Sequence, residues 1–151
     1  MTPTASAAAT LDMTSDTSDS DWRALRAAAF EALERAYAPY SKFRVGAALQ
    51  ARDGRVFIGC NVENASYPAS LCAERAAMAG AVAAGARDFV ALVIASDGAE
   101  PAPPCGICRQ VLSELAPTLD LMSCTRDGGE ARWVISSLLP HPFTPQSLDH
   151  S

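Results

Sequence analysis

Histidine is nearly missing from this 151-residue chain: only His141 and His150 are present. A metal motif of the H-x-E kind therefore has no material in the body of the sequence. Positive charge is short as well. A formal net charge of −5 argues against holding a polynucleotide through its phosphates. No apolar run reaches the length of a membrane span. No basic residue precedes Arg23 and no apolar segment comes before it, so no secretory leader is expected. Together these absences predict a protein of the reducing cytoplasm whose thiols are free to bind metal. Residues 1–20 lack any apolar period and are dominated by Ala, Ser, Thr and Asp. They read as a disordered tail, within which Met13 is an alternative start. Apolar residues make up 49% of the chain and charged residues 19%, a globular composition. There is no internal repeat and no linker, so residues 21–148 are expected to form one domain.

Cysteine is what the chain does have: five, an odd number. Cys72 is followed two residues later by Glu74. About thirty residues on, Pro104 is followed by Cys105 and Cys108. The last two are spaced to share one metal on a loop-to-helix turn. Three thiolates suffice for a catalytic zinc, which keeps a position open for water, whereas structural zinc takes four protein ligands. Pro104 fits a helix start, and Ser70 is a plausible cap for a helix carrying Cys72. Helix N-termini aimed at the sulfurs would offset part of their negative charge. Arg75 and Arg109 directly follow key residues and are placed to donate to thiolate sulfur. Two other readings compete. A C-x-x-C can be a redox pair, but that leaves Cys72 and Glu74 unexplained. A structural zinc would need Cys60 or Cys124, and both lie in strand-like apolar runs where a small buried hydrophobe fits better.

The periodicity predicts a helix over 21–38, with Leu25, Ala29, Leu33 and Ala36 on one face and Tyr37 and Pro39 closing it. Strands are expected over 43–51 and 56–60, joined by a turn centred on Asp53-Gly54. The helix carrying Cys72 is expected from about Leu71 to Ala84. The nearly continuous apolar run 89–96 marks a central strand covered on both faces. A helix follows over 105–116, then strands over 119–124 and 132–136 with a turn between them. A Pro-punctuated segment, 138–148, closes the chain. This order predicts an α/β protein, a three-layer α/β/α sandwich on one five-stranded mixed sheet. Its ligand site belongs at the carboxyl end of the buried strand.

Five stretches together resemble a known family. They are Y-A-P-Y-S-K-F-R-V-G-A-A-L at 37–49, G-C-N-V-E-N-A-S-Y at 59–67, C-A-E-R at 72–75, P-C-G-I-C-R-Q at 104–110 and L-L-P-H-P-F at 138–143. The chain looks like a cytidine deaminase of the small, homotetrameric, free-nucleoside type. The resemblance implies one Zn²⁺ per subunit, held by Cys72, Cys105 and Cys108, and hydrolysis of cytidine and deoxycytidine to the uridines and ammonia. It implies Glu74 as the proton shuttle, and Asn61 and Glu63 as partners of the ribose 3′-hydroxyl. Phe43 would pack on the pyrimidine. Ala65 and Tyr67 of a neighbouring subunit would lie near the ribose 5′ end, and Phe143 of another would close over the base. Ser137 stands where the family commonly has an acidic residue. Alternatives are a blasticidin-type aminonucleoside deaminase, which N-V-E-N-A-S disfavours, and a zinc-stabilised binding module without catalysis, which Glu74 disfavours.

Overall fold

The structure is a computed structural model that describes residues 17–149. Most of the expected tail therefore lies outside the described residues. The first helix, α1 (Asp19–Leu33), begins two residues before the expected Asp21. Ser18 caps it: its hydroxyl accepts from the Asp21 amide at 3.2 Å while the Asp21 carboxylate takes the Ser18 amide, a reciprocal capping box. Its end also differs from the expected Ala38. Tyr37 donates its amide to the Asn61 carbonyl and accepts from the Glu63 amide, and this bridge to another segment excludes a helical turn. Pro39 independently disfavours helix at Ala38.

The strands are β1 (Val45–Ala51), β2 (Val56–Cys60), β3 (Phe89–Ser96), β4 (Asp120–Thr125) and β5 (Glu130–Val134). They form one sheet in the order β2-β1-β3-β4-β5. Only β3 and β4 are parallel. β1 starts two residues later than expected because the Asn61 side chain substitutes for a strand partner. It donates to the Phe43 carbonyl at 2.8 Å and accepts from the Val45 amide at 2.9 Å. β5 starts and ends earlier than expected, and Ile135 leads instead into a short helix, α4 (Ile135–Leu138).

Two apolar layers hold helices to this sheet. Leu25, Ala29 and Leu33 of α1 pack on Ala48, Val93, Ala95 and Met122. On the other face, α2 (Ala73–Ala83) and α3 (Gly106–Leu115) pack on Ala47, Leu49, Leu92, Ile94 and Leu121. The result is the expected three-layer sandwich on a five-stranded mixed sheet.

Two glycines set how closely the helices approach. A Cβ at Gly46 would fall on the Ala29 carbonyl oxygen and the Leu33 amide of α1. A Cβ at Gly59, on the neighbouring strand, would fall on the Ala77 amide and Ala73 carbonyl of α2. Backbone cannot swing aside as a side chain can. Gly46→Ala should therefore lower stability by at least ~3 kcal/mol, since forcing atoms into a packed layer shifts backbone. Urea unfolding checks this, and a loss below ~1 kcal/mol would mean the layer yields easily.

Candidate active site

Cys72 is itself the N-cap of α2, with extended backbone (φ −74, ψ 154). The expected cap, Ser70, instead accepts from the Asn64 amide at 3.0 Å. Cys105 is the N-cap of α3, and its sulfur accepts from the Cys108 amide at 3.5 Å. Pro104 thus precedes the cap and does not open the helix. Two chain segments 33 residues apart meet end-on through their helix N-termini. The Cys72 and Cys105 sulfurs are 3.6 Å apart, and all three sulfurs lie within 4.8 Å of one another. Tetrahedral zinc with Zn–S bonds of about 2.3 Å sets its sulfurs about 3.8 Å apart, so the trio fits zinc. It is the one such ligand cluster among the described residues. Cys124 is buried in the α1 layer, and the Cys60 thiol faces the Arg35 carbonyl. Neither completes a four-thiolate structural site.

The thiols are electrostatically unequal without metal. A hydrogen bond from Cys108, helped by Arg75, lowers the Cys72 pKa to about 5. Cys108 keeps its proton, held up by that same hydrogen bond to Cys72 and by burial. Arg75 Nη2 donates to the Cys72 sulfur at 3.4 Å. Arg109 does not do what its position in the sequence suggested. Its guanidinium donates to the Pro104 carbonyl at 2.8 Å and the Leu138 carbonyl at 3.1 Å. It fastens the metal loop to the C-terminal segment without touching sulfur, because its side chain leaves α3 toward α4.

Glu74 stands in the first turn of α2, only 6% exposed. Burial raises its pKa to about 7, with the Cys72 thiolate adding to the effect. It opens on a cavity of about 310 Å³ that Phe43, Asn61, Glu63, Cys72 and Cys105 also line. That volume is at the lower end for small-ligand pockets. The cavity sits beyond the carboxyl end of β3, where open α/β sheets bind ligands. Ile94, Ala102 and Pro103 also line it. Pro103 opens the stretch P-P-C-G-I-C-R-Q, whereas no motif singled out Ile94 or Ala102.

The approach to the cavity is held rigidly. One Glu63 oxygen accepts from both the Tyr40 and Ser41 amides, at 3.0 and 3.1 Å. Hydrogen bonds with Ser41 and Tyr40 hold its carboxyl below its ordinary pKa. Lys42, inside this turn, takes a left-handed φ of 60°, a strained conformation for a side chain with a Cβ. Ala65, Tyr67 and Phe143 lie outside the lining. Tyr67 is 74% exposed and meets Tyr40 edge-on at 6.4 Å. Phe143 is 61% exposed, and its carbonyl accepts from Gln110 Nε2 at 2.7 Å.

Arg75 offers a test of the charge balance. Replacing it by glutamine removes the cation beside Cys72 while leaving the sulfurs in place. A zinc site made more negative acidifies water less. Arg75→Gln should retain zinc and show a pH–rate profile displaced to higher pH. An unchanged profile would reduce Arg75 to a packing role.

Comparison with known proteins agrees with this geometry. Residues 19–120 match the family described as "Cytidine and deoxycytidylate deaminase zinc-binding region". Cytidine deaminase of Halalkalibacterium halodurans is 45% identical over 122 residues, 80% of this chain and 92% of its own. That of Mycobacterium tuberculosis is 48% identical over 130 residues, 86% of this chain and 85% of its own. Among solved structures, cytidine deaminase from Burkholderia pseudomallei superposes with a TM-score of 0.78 at 49% identity. The match covers 80% of this chain and 98% of that one. A three-thiol zinc site with a buried glutamate beside it is thus set in a fold and a sequence shared along most of the chain, and the protein belongs to the cytidine deaminase family.

Proposed function

We propose that this chain hydrolyses cytidine and deoxycytidine to uridine and deoxyuridine, releasing ammonia. The observation that carries this reading is the buried Glu74 carboxyl on the cavity wall beside three clustered sulfurs. Zinc held by Cys72, Cys105 and Cys108 supplies a Lewis acid that makes water a nucleophile near neutral pH. Glu74, not among the ligands, takes a proton from the attacking water and passes it to ring N3, which makes C4 electrophilic. It then takes the remaining proton from the hydroxyl added at C4 and delivers it to the amine, which leaves as ammonia while the C4 carbonyl forms. One carboxyl performs both transfers best with a pKa near the working pH, and burial moves Glu74 that way. Phe43 packs on the pyrimidine. Asn61 and Glu63 hold the ribose and so fix C4 relative to the reacting groups. One Asn61 N–H is engaged by Phe43, and the amide carries a second for the sugar. A purified protein containing zinc should release ammonia from cytidine. A zinc-replete protein inert toward both nucleosides would reject the activity and favour a binding module.

The working unit in this reading is a homotetramer with shared active sites, located in the reducing cytoplasm that suits free thiols. No helix among the described residues is long and apolar enough to cross a membrane. Phe143 is exposed and absent from its own chain's cavity, which supports a role in a neighbour's site, as does the exposure of Ala65 and Tyr67. Mixed refolding of Glu74→Ala with Phe143→Ala tests this. Sites that combine an intact Glu74 from one chain with an intact Phe143 from the other should restore part of the activity. Failure in mixtures shown to contain hetero-oligomers, or a monomer in solution, would reject the shared site.

A further inference from the structure

Four charged side chains outside the cavity form a closed ring. Arg44 donates from Nε to one Asp97 oxygen at 2.7 Å and from Nη1 to one Glu34 oxygen at 3.1 Å. Arg126 donates from Nε to the other Asp97 oxygen at 3.3 Å and from Nη2 to the other Glu34 oxygen. Each carboxylate thus uses both oxygens and each guanidinium two arms. Hydrogen bonding to Arg126 holds the Glu34 carboxyl low. At Asp97 burial acts upward, and the bonds from Arg44 and Arg126 outweigh it. Arg126 also lies over the Phe30 ring at 5.5 Å. Isolated exposed ion pairs contribute little, but a network in which each carboxylate uses both oxygens fixes geometry more firmly.

The ring joins four separate places in the fold: the end of α1, the entry to β1, the exit of β3 and the β4–β5 turn. One member, Arg44, stands in the chain between two residues of the cavity wall, Phe43 and Val45. Another, Asp97, directly precedes Gly98, which lies against the Phe43 ring. The Asp97 amide donates to the Arg44 carbonyl at 3.2 Å, so these neighbours are bound through backbone and side chain alike. A Cβ on Gly98 would stand 3.1 Å from Phe43 Cε2 and 3.4 Å from Cζ. The Phe43 ring therefore rests on the bare Gly98 backbone. Asn61 grips the Phe43 carbonyl from the other side.

We propose that Glu34, Arg44, Asp97 and Arg126 are positioning residues, a charged frame that seats Phe43 against Gly98 and thereby shapes the base-binding wall. This rests on the nucleoside reading given above. The frame acts on substrate binding and leaves the chemical step, at Glu74, untouched. Cytidine carries no net charge, so salt cannot alter its binding by steering. The part of any salt dependence of KM that Asp97→Asn removes then reports the frame itself, since ~1 M salt shortens the screening length to about 3 Å.

Asp97→Asn keeps shape and removes the charge that both arginines share. It should raise KM for cytidine about fivefold with kcat within about twofold, the pattern of lost uniform binding. In the parent, KM should climb toward the variant's value between about 0.05 and 1 M NaCl, and in the variant it should stay flat. Arg126→Gln, in an exposed turn, should give the same pattern should Asp97→Asn fold poorly. Gly98→Ala should raise KM while leaving the parent's salt response intact. A second readout needs no substrate: the fluorophenylalanine resonance at position 43, assigned through Phe43→Leu, should move in Asp97→Asn and with salt in the parent. Inert wild-type protein would reject the nucleoside reading, and the resonance would still decide the frame. A resonance at position 43 that ignores both Asp97→Asn and salt would overturn the proposal. So would a lowered Tm with KM and its salt response unchanged.

Discussion

Glu74→Gln should fold, bind zinc as the parent does, and deaminate cytidine at least ~10³-fold more slowly. The amide matches the carboxyl in size but can neither accept the proton from water nor return one to the amine. Both transfers run through this group in the proposed mechanism, so the loss belongs at the upper end for acid–base catalysis. Glu74 is not among the sulfur ligands, so metal content should stay the same. The variant should also gain stability in metal-free protein. Burial holds the folded pKa at about 7 against an ordinary 4.5. An acid whose pKa is higher when folded weakens the fold as pH rises between those two values. Glutamine should therefore add up to about 3 kcal/mol above pH 7 and nothing below about pH 4. Loss of turnover with that rise in Tm would tie catalysis and burial to the same carboxyl. Near-parental turnover in a zinc-replete variant would remove Glu74 from the mechanism.

Removing zinc should abolish deamination and leave a folded protein. The apolar clusters on the two sheet faces contain none of Cys72, Cys105 and Cys108. The domain therefore has a core that stands without metal, unlike small zinc-nucleated domains that unfold when stripped. Exhaustive chelation should give an inactive protein with a cooperative but lower Tm, and added zinc should restore activity. Refilling should release at least one proton per zinc near pH 7, because Cys108 still carries its proton and must lose it to bind. Calorimetry in two buffers of different ionisation enthalpy measures that proton. Activity that survives chelation to trace zinc would contradict a catalytic metal.

Much of this could be read in advance, for local reasons. The limits of β2 and β3, Val56–Cys60 and Phe89–Ser96, coincide with the expected ones because flanking turn residues and a continuous apolar run are short-range signals. The thiol trio was visible because the chemistry fixes its spacing. The misses are decisions made by distant chain. α1 stops early because Tyr37 is claimed by Asn61 and Glu63. β1 starts late because an Asn61 side chain, and not another strand, takes the Phe43 carbonyl. Arg109 was assigned to sulfur by adjacency alone, but adjacency does not say which way a helical side chain leaves. The charged ring could not be seen at all, since Glu34 and Arg126 are 92 residues apart and share no pattern.

The bare spots at Gly46 and Gly59 have a bearing on how mutational surveys of this protein should be interpreted. At Gly59 the backbone of α2 rests on the sheet with no side chain between, and the N-terminus of that helix carries Cys72 and Glu74. Any side chain added there displaces the very segment that holds a ligand and the proton carrier. A scan scored by activity would rank Gly59 beside the cysteines, though it touches neither metal nor nucleoside. Only a parallel scan scored by abundance would separate the two kinds of intolerance. Gly46 would fail both, whereas Glu74 would fail the first and pass the second.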